Sequence, residues 1–224
     1  MKVGLIGGTG GMGEGFALRW AFKHDVVIGS RDAQKAKIAA QSYAKIAEDS
    51  YGSAMTGSIS GDDNLAATES SDILLLSIHY ENISEMCIRL ATHLRTDCVV
   101  VSPIVPMAKT GAGFVYVPLE QMKKPAAEIV ADNLPPRSRV VSAFHTISEA
   151  RLKNVRESID SDTFVCGDNS KTVGIVTSLI SEINGLRPIY LGPLSISYQA
   201  EILTPMLLNS ATRNKMKNPG IRIV

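Results

Sequence analysis

The chain has 224 residues and a formal net charge of +1, with 45% hydrophobic and 20% charged residues. This length suits one large domain, or a nucleotide-binding domain with a smaller second lobe, and the composition is that of a globular protein with a sizeable core. The near-zero charge excludes a global basic field for nucleic acid or an anionic membrane, so any bound anion must be held by a local site.

Targeting and metal-binding signals are missing from the sequence. The chain opens directly with a predicted buried strand, and no run approaches the ~18 uninterrupted apolar residues of a membrane helix, so we expect a cytoplasmic protein. Cys87, Cys98 and Cys166 form no CxxC pair, and the histidines show no zinc-ligand spacing. We therefore expect free thiols in a reducing compartment and no metal site.

The first half of the chain alternates short apolar runs with helical patterns. Strands are predicted at Lys2–Ile6, Val26–Ile28, Met55–Ile59, Asp72–Ile78 and Cys98–Val101. Helices are predicted at Gly10–Phe22, Asp32–Glu48, Asp62–Glu69 and Asn82–Leu94. Strands that alternate with helices form βαβ units, and a continuous apolar run is typical of a strand buried on both faces of a parallel sheet. The predicted fold class is α/β, with a Rossmann-type doubly wound parallel sheet.

The pattern breaks between Ser102 and Pro125, where prolines and glycines predict a long irregular stretch. Within it, Lys109–Gly113 is interpreted either as a cofactor-phosphate or lid loop, or as an ordinary mobile surface loop. Beyond it we predict strands at Val140–Ala143, Thr163–Cys166 and Pro188–Leu191, and helices at Ala126–Leu134, at Lys171–Ile183 with Ser170 as its cap, and at Ser197–Thr212 with a kink at Pro205. We predict two domains, a nucleotide-binding domain over residues 1–139 and a small C-terminal α/β lobe over residues 140–224 that forms the substrate cleft.

A glycine motif follows the first strand, where Gly8, Gly10 and Gly13 fit the pattern G-x-G-x-x-G. The first glycine permits a tight turn, the second lets the backbone approach a pyrophosphate, and the third lets the helix pack on the strand. The helix that starts here directs free N–H groups and its positive dipole end at the phosphates. The motif predicts a dinucleotide site.

The end of the second strand indicates which dinucleotide binds. An NAD site normally has Asp or Glu here, whereas this chain has Ser30 and Arg31. Arg31 can bind a 2′-phosphate through its guanidinium and Ser30 through its hydroxyl, and Thr9 and Lys35 are close enough in the motif to assist. Asp32 opposes this interpretation unless its carboxylate begins the following helix, which is the role we assign to it. The sequence predicts NADP.

Several segments carry a resemblance to a known family: GLIGGTGGMGEGFALR, VVIGSRDAQKA, VVVSPIVP, VVSAFHTISEAR, INGLRPIYLGPLS, LTPMLLN and NPGIRI. In this order they resemble the NADPH:coenzyme F420 oxidoreductases, the deazaflavin-dependent NADP reductases of archaea. The resemblance runs along nearly the whole chain. It implies reversible hydride transfer between C5 of the deazaflavin and C4 of the NADP nicotinamide, without a metal or a covalent intermediate. It also implies a homodimer.

The resemblance also implies which residues hold the two coenzymes. The NADP contacts would be Thr9, Gly10, Met12, Ser30, Arg31 and Lys35, with the nicotinamide near Ser77, Ile78 and Pro103. The deazaflavin would lie near His145, Thr146, Ile147 and Leu207. His145 and Ile147 would position the rings rather than act as acid or base. Ordinary core packing or a hydrogen-bonded strand-end histidine explains His145, Ile147 and Leu207 about equally well.

The chain departs from the family where many members have Ile-Pro-Trp-Glu-His and this sequence has Ile78-His79-Tyr80-Glu81-Asn82. The segment lies beside the expected nicotinamide position, so His79 joins the predicted cofactor contacts and the acceptor preference is left open. Two alternatives therefore stand. One is an NADPH-dependent reductase of a flavin, ferric chelate, imine or keto acid, and the other is a non-catalytic NADP-sensing module.

Overall fold

The computed structural model describes residues 1–117, 124–136 and 138–224, so Pro118 and part of the predicted irregular stretch lie outside the described residues. The strands are β1 Lys2–Ile6, β2 Asp25–Ser30, β3 Ser58–Asp63, β4 Ile73–Leu76, β5 Val99–Ser102, β6 Met107–Thr110, β7 Gly113–Tyr116, β8 Arg139–Ser142, β9 Ser161–Cys166 and β10 Leu186–Gly192. The helices are α1 Gly11–Trp20, α2 Ala33–Tyr51, α3 Asn64–Ser70, α4 Ile83–Ala91, α5 Ala126–Asn133, α6 Glu149–Lys153, α7 Ser170–Ser181, α8 Tyr198–Glu201 and α9 Leu203–Asn214.

Eight strands form one sheet in the order β10-β9-β8-β5-β4-β1-β2-β3. From β3 to β8 all neighbours are parallel, which is the strand order of a Rossmann sheet and confirms the predicted fold class. β9 meets β8 antiparallel at Ser142 and Cys166, and β10 runs parallel to β9. The domain boundary predicted after residue 139 falls at the start of β8, which pairs with β5 in this sheet, and the boundary stays a prediction.

Helices cover both faces of the sheet. One buried cluster joins the sheet to α1, α2 and α7 and contains a group of aromatic rings, Phe16, Trp20 and Phe144, whose centroids are 4.8–5.7 Å apart. The other joins the opposite face to α3, α4 and α5. Among the described residues, no helix combines the length and apolar character needed to cross a membrane.

Beyond residue 100 the structure differs from the sequence analysis in four places. The irregular stretch contains the antiparallel hairpin β6–β7, closed by a turn at Gly111 and Ala112. The short helix α6 was not predicted. The cap of α7 is Asn169 rather than Ser170, since its side chain accepts a hydrogen bond from the Thr172 N–H. The expected kinked helix is divided into α8 and α9, so Pro205 lies in a first turn, where its missing N–H costs nothing.

One face of α1 packs directly against α6. A Cβ atom on Gly15 would lie 2.5 Å from the Cβ of Leu152, so a residue with a side chain there would separate the two helices. One turn further on, buried Arg19 donates hydrogen bonds to backbone carbonyls at the end of α6, including those of Leu152 at 2.9 Å and Asn154 at 2.7 Å. Burial lowers the pKa of Arg19, and these carbonyls replace the water that its guanidinium loses.

Residues 221–223 are held against β9 and β10 by a buried carboxylate. Asp162 is fully buried and accepts two hydrogen bonds of 2.8 Å from Arg187 and one of 2.7 Å from the Ile223 N–H. Arg187 holds the pKa of Asp162 below its usual range. The Asp162 N–H donates in turn to the Ile221 carbonyl.

We expect Gly15→Ala to destabilise the protein because the added methyl group must push Leu152 and α6 away from α1. The expected loss is about 1–3 kcal/mol in the free energy of unfolding, measured by urea denaturation. The matched control is Gly174→Ala in α7, where an added Cβ meets nothing within 4 Å. That variant should gain about 0.4–1 kcal/mol, and equal effects of the two substitutions would contradict the close helix contact.

Candidate active site

The glycine loop joins β1 to α1 and is hydrogen-bonded to the end of β2. The Gly8 N–H donates to the carbonyls of Leu5 at 3.0 Å and Gly29 at 3.1 Å. A Cβ on Gly13 would collide with the backbone of Gly8, which is the close helix–strand packing that the motif predicts, whereas a Cβ on Gly10 would enter open space. The loop therefore presents its backbone to solvent at the start of α1, as a phosphate site requires.

The end of β2 lies beside this loop because β1 and β2 are parallel neighbours. Asp32 caps α2, and its carboxylate accepts hydrogen bonds from the N–H groups of Gln34 at 2.9 Å and Lys35 at 3.2 Å. The interpretation of Asp32 as a helix-start carboxylate is confirmed. The side chains of Thr9, Arg31 and Lys35 are exposed, and that of Ser30 is partly exposed.

A cavity of about 440 Å³, here called the strand-end cavity, opens where β4, β5 and β8 end. It brings together seven of the predicted site residues: Met12, Ser77, Ile78, His79, Pro103, His145 and Ile147. The hairpin β6–β7 covers one side with Met107, Lys109 and Phe114. Of the two interpretations of Lys109–Gly113, the structure therefore places at least Lys109 at the cavity rather than on a remote surface.

A second cavity of about 440 Å³, here called the α9 cavity, lies between α6, α9 and residues 218–219. It is lined by the predicted residues His145, Thr146, Ile147 and Leu207. His145, Ile147 and Thr204 line both cavities, so the two spaces meet at one wall. The predicted residues thus divide into two neighbouring cavities and an exposed strip formed by the glycine loop and the end of β2.

The hairpin is fixed over the strand-end cavity by distant helices. The Asn209 amide of α9 accepts a hydrogen bond from the Phe114 N–H at 2.8 Å and donates to the Phe114 carbonyl at 2.6 Å, as a neighbouring strand would. Tyr116 donates to the buried carboxylate of Glu201 at 2.6 Å. Burial raises the pKa of Glu201 and of Tyr116. Sequence reasoning missed these anchors, although Asn209 belongs to the segment LTPMLLN that carried the resemblance.

His145 is the most enclosed polar group of the shared wall. The residue is only 5% exposed. Its Nε2 is 3.5 Å from the Ser142 hydroxyl, and its Nδ1 has no hydrogen-bond partner among the described residues. Burial lowers the pKa of His145 to about 3, so the imidazole is neutral at physiological pH. A neutral ring offers one donor and one acceptor and no charge.

Thiol and metal chemistry find no support in the described part of the chain. The three cysteines are free and buried, as expected, and burial raises the pKa of each thiol to about 12. In residues 1–117, 124–136 and 138–224, no three His, Cys, Asp or Glu side chains are grouped so that they could hold a metal ion. The three residues that line both cavities carry no charge at physiological pH.

Comparison with known proteins identifies the family. A family model described as "NADP oxidoreductase coenzyme F420-dependent" matches residues 2–106. An F420-dependent NADP reductase from Methanocaldococcus jannaschii is 33% identical and the match covers 100% of this chain and 98% of the relative. The chain belongs to this family. Another F420-dependent NADP reductase of the family, from Methanothermobacter thermautotrophicus, is 34% identical over 100% of this chain and 94% of its own length.

A solved structure of a protein from Arthrobacter sp. FB24 has the same fold. It superimposes with a TM-score of 0.81 at 18% sequence identity, and the match covers 100% of this chain and 99% of that chain. The fold of this chain is therefore shared over its whole length with a protein of known structure.

We expect the stability of the protein to fall as the pH drops below about 6.5 because of His145. In that range the unfolded chain binds a proton at this imidazole and the folded chain does not, since its folded pKa is about 3. Between pH 7 and pH 5 the linked loss in the free energy of unfolding is about 1–2 kcal/mol. Urea denaturation should show that His145→Gln removes this part of the pH dependence.

The control for this measurement is His79→Gln, which changes an exposed histidine of the same cavity. It should leave the pH dependence of the wild-type protein nearly intact. If the free energy of unfolding varied with pH in the same way for wild type and His145→Gln, the ring of His145 would be reached by water in the folded state.

Proposed function

We propose that the protein transfers a hydride reversibly between NADP(H) and coenzyme F420. The observation that carries this proposal is the pair of cavities that meet at His145, Ile147 and Thr204, next to a dinucleotide loop. Direct transfer needs two rings at reacting distance, ~3–3.5 Å, with water kept out. Two adjoining spaces that share uncharged lining residues can hold two rings face to face where they meet. The names of the relatives, F420-dependent NADP reductase, support the same reaction.

NADP(H) is proposed to bind from the glycine loop into the strand-end cavity. Backbone groups of Gly8, Gly10 and Gly13 would receive the pyrophosphate at the start of α1. The 2′-phosphate would lie between Thr9, Ser30, Arg31 and Lys35. Neither Arg31 nor Lys35 forms an ion pair with a carboxylate of the described residues, so both charges are available to an anion. The nicotinamide would then contact Met12, Ser77, Ile78, His79 and Pro103.

The deazaflavin is proposed to lie in the α9 cavity, against His145, Thr146, Ile147 and Leu207, with its ring facing the nicotinamide where the two cavities meet. The bound coenzymes supply the hydride donor and acceptor carbons themselves. The chain contributes position: Ile147 offers an apolar surface to the rings, and neutral His145 offers one hydrogen-bond donor without attracting water as a charge would. No residue is assigned as acid or base. Thr204 fixes the wall, since its hydroxyl donates to the His145 carbonyl at 2.6 Å.

The homodimer implied by the family resemblance stays a prediction, as does the cytoplasmic location. One feature favours the dimer. Ile202 and Met206, at the start of α9, are 46% and 48% exposed. The same helix also lines the α9 cavity. Apolar side chains grouped at such a position are typical of a surface that a second subunit covers.

The reaction is tested by mixing the purified protein with NADPH and oxidised coenzyme F420 and following the deazaflavin absorbance. We expect rapid bleaching, and recovery of the absorbance when NADP⁺ is added in excess. Turnover of a flavin, ferric chelate, imine or keto acid in place of coenzyme F420 would support a different reductase. Tight NADPH binding without turnover of any of these acceptors would support an NADP-sensing module.

The choice of NADP over NAD is tested by Arg31→Asp. Loss of one charge-assisted hydrogen bond, worth about 1.5–3 kcal/mol, should weaken NADPH binding by roughly tenfold or more, and the new carboxylate should favour NADH. The effect is measured as the dissociation constants of NADPH and NADH, determined by quenching of protein fluorescence. Lys171→Asp, at an exposed position in the first turn of α7, is the matched charge reversal and should change neither constant. An unchanged NADPH-to-NADH ratio in Arg31→Asp would mean that the 2′-phosphate lies elsewhere.

A further inference from the structure

Glu149 lies between the dinucleotide loop and the α9 cavity. It is the first residue of α6, and its carboxylate contacts Gly11, the residue that begins α1. A Cβ on Gly11 would collide with this carboxylate, so the position of Glu149 depends on the glycine. The same side chain lines the α9 cavity together with His145 and Ile147. One carboxylate is thus in reach of both the glycine loop and the proposed deazaflavin space.

An ion pair holds Glu149 in this position. Lys153 Nζ is 3.0 Å from a carboxylate oxygen of Glu149 and 2.9 Å from one of Glu14 on α1. The Glu149 side chain remains 52% exposed, so its other lone pairs face solvent and the cavity. Two carboxylates share one ammonium group, and the arrangement retains a negative charge. It is therefore unsuited to a phosphate but suited to hydroxyl donors.

The proposed path of NADP(H) brings hydroxyl groups to this place, and the inference rests on that proposed function. The pyrophosphate lies at the start of α1 and the nicotinamide in the strand-end cavity, so the ribose between them passes beside Gly11 and Met12. The deazaflavin carries a hydroxylated side chain into the adjoining α9 cavity. Both ligands offer neighbouring hydroxyls, and a carboxylate can accept a hydrogen bond from each hydroxyl of such a pair.

A second observation also indicates a ligand at this wall. His145 lines the α9 cavity together with Glu149 and is only 5% exposed. Its Nδ1 has no hydrogen-bond partner among the described residues. Buried polar atoms are normally paired, so an unpaired nitrogen in a residue that lines the cavity favours a partner that binds there. We propose that Glu149 binds a vicinal diol, that of the nicotinamide ribose or that of the deazaflavin side chain, and so positions one ring against the other.

Glu149→Gln tests this because it keeps the shape of the side chain and removes the charge that strengthens both hydrogen bonds. Dissociation constants are measured for three probes: NADPH, adenosine 2′,5′-bisphosphate, which lacks the second ribose, and coenzyme F420. If the diol is that of the ribose, NADPH binds roughly tenfold more weakly and the other two probes are unchanged. If the diol is that of the deazaflavin, the same loss falls on coenzyme F420 alone.

The control is Glu14→Gln, which removes the other carboxylate bound to Lys153 and leaves Glu149 in place. It should alter none of the three constants. The inference is overturned if Glu149→Gln binds NADPH and coenzyme F420 as the wild type does or more tightly. It is also overturned if adenosine 2′,5′-bisphosphate weakens as much as NADPH, or if Glu14→Gln reproduces the effect. A wild-type protein that binds neither coenzyme would instead overturn the proposed function.

Discussion

The direct contact between α1 and α6 is the constraint on which the rest of the site depends. It exists because Gly11 and Gly15 present no side chains on the face that meets α6. Arg19 continues the same face and gives the loop after α6 a set of hydrogen-bond donors. A buried guanidinium without hydrogen-bond acceptors would cost several kcal/mol. Moving these carbonyls away from Arg19 would therefore carry a penalty of that order. The two helices therefore behave as one unit.

This unit joins the two halves of the proposed reaction. α1 begins at the glycine loop, and the segment that leads from β8 into α6 carries the shared wall of the two cavities. A displacement of α6 would move His145 and Ile147 relative to the glycine loop. Hydride transfer is sensitive to errors of about 1 Å in the distance between reacting atoms. Close helix packing is thus a means of precise positioning, on which the proposed transfer depends.

The sequence predicted the elements whose signals are local. β4 is a continuous apolar run, β1 and β5 are largely apolar, and the glycine motif follows β1 directly, so the fold class and the position of the glycine loop could both be inferred. The hairpin β6–β7 could not, because Ala108–Thr110 are exposed and its anchor Asn209 is almost a hundred residues away. α6 has five residues, too few to show a helical period. Asn169 and Ser170 are both favourable N-cap residues, and the sequence does not reveal which side chain accepts the hydrogen bond from the helix N–H groups.

The candidate site was predictable to the same extent. Residues after strand ends, such as Ser77 and Pro103, follow from the topology, because parallel strands end at one edge of the sheet. The contact between Gly11 and Glu149 does not, since a glycine in a glycine-rich loop has an explanation already and no periodicity connects it to residue 149. Such pairs become visible when the backbone is folded.

The buried Asp162 has a consequence for biosynthesis. Its carboxylate is buried against Arg187 and the Ile223 N–H, and its own N–H is satisfied by the Ile221 carbonyl. On the ribosome, β9 is complete long before residues 221–223 leave the exit tunnel. During that interval the buried carboxylate lacks the hydrogen bond from the Ile223 N–H, so β9 and β10 reach their full stability only when residues 221–223 are in place. The nucleotide-binding strands carry no such delay and are free to fold first.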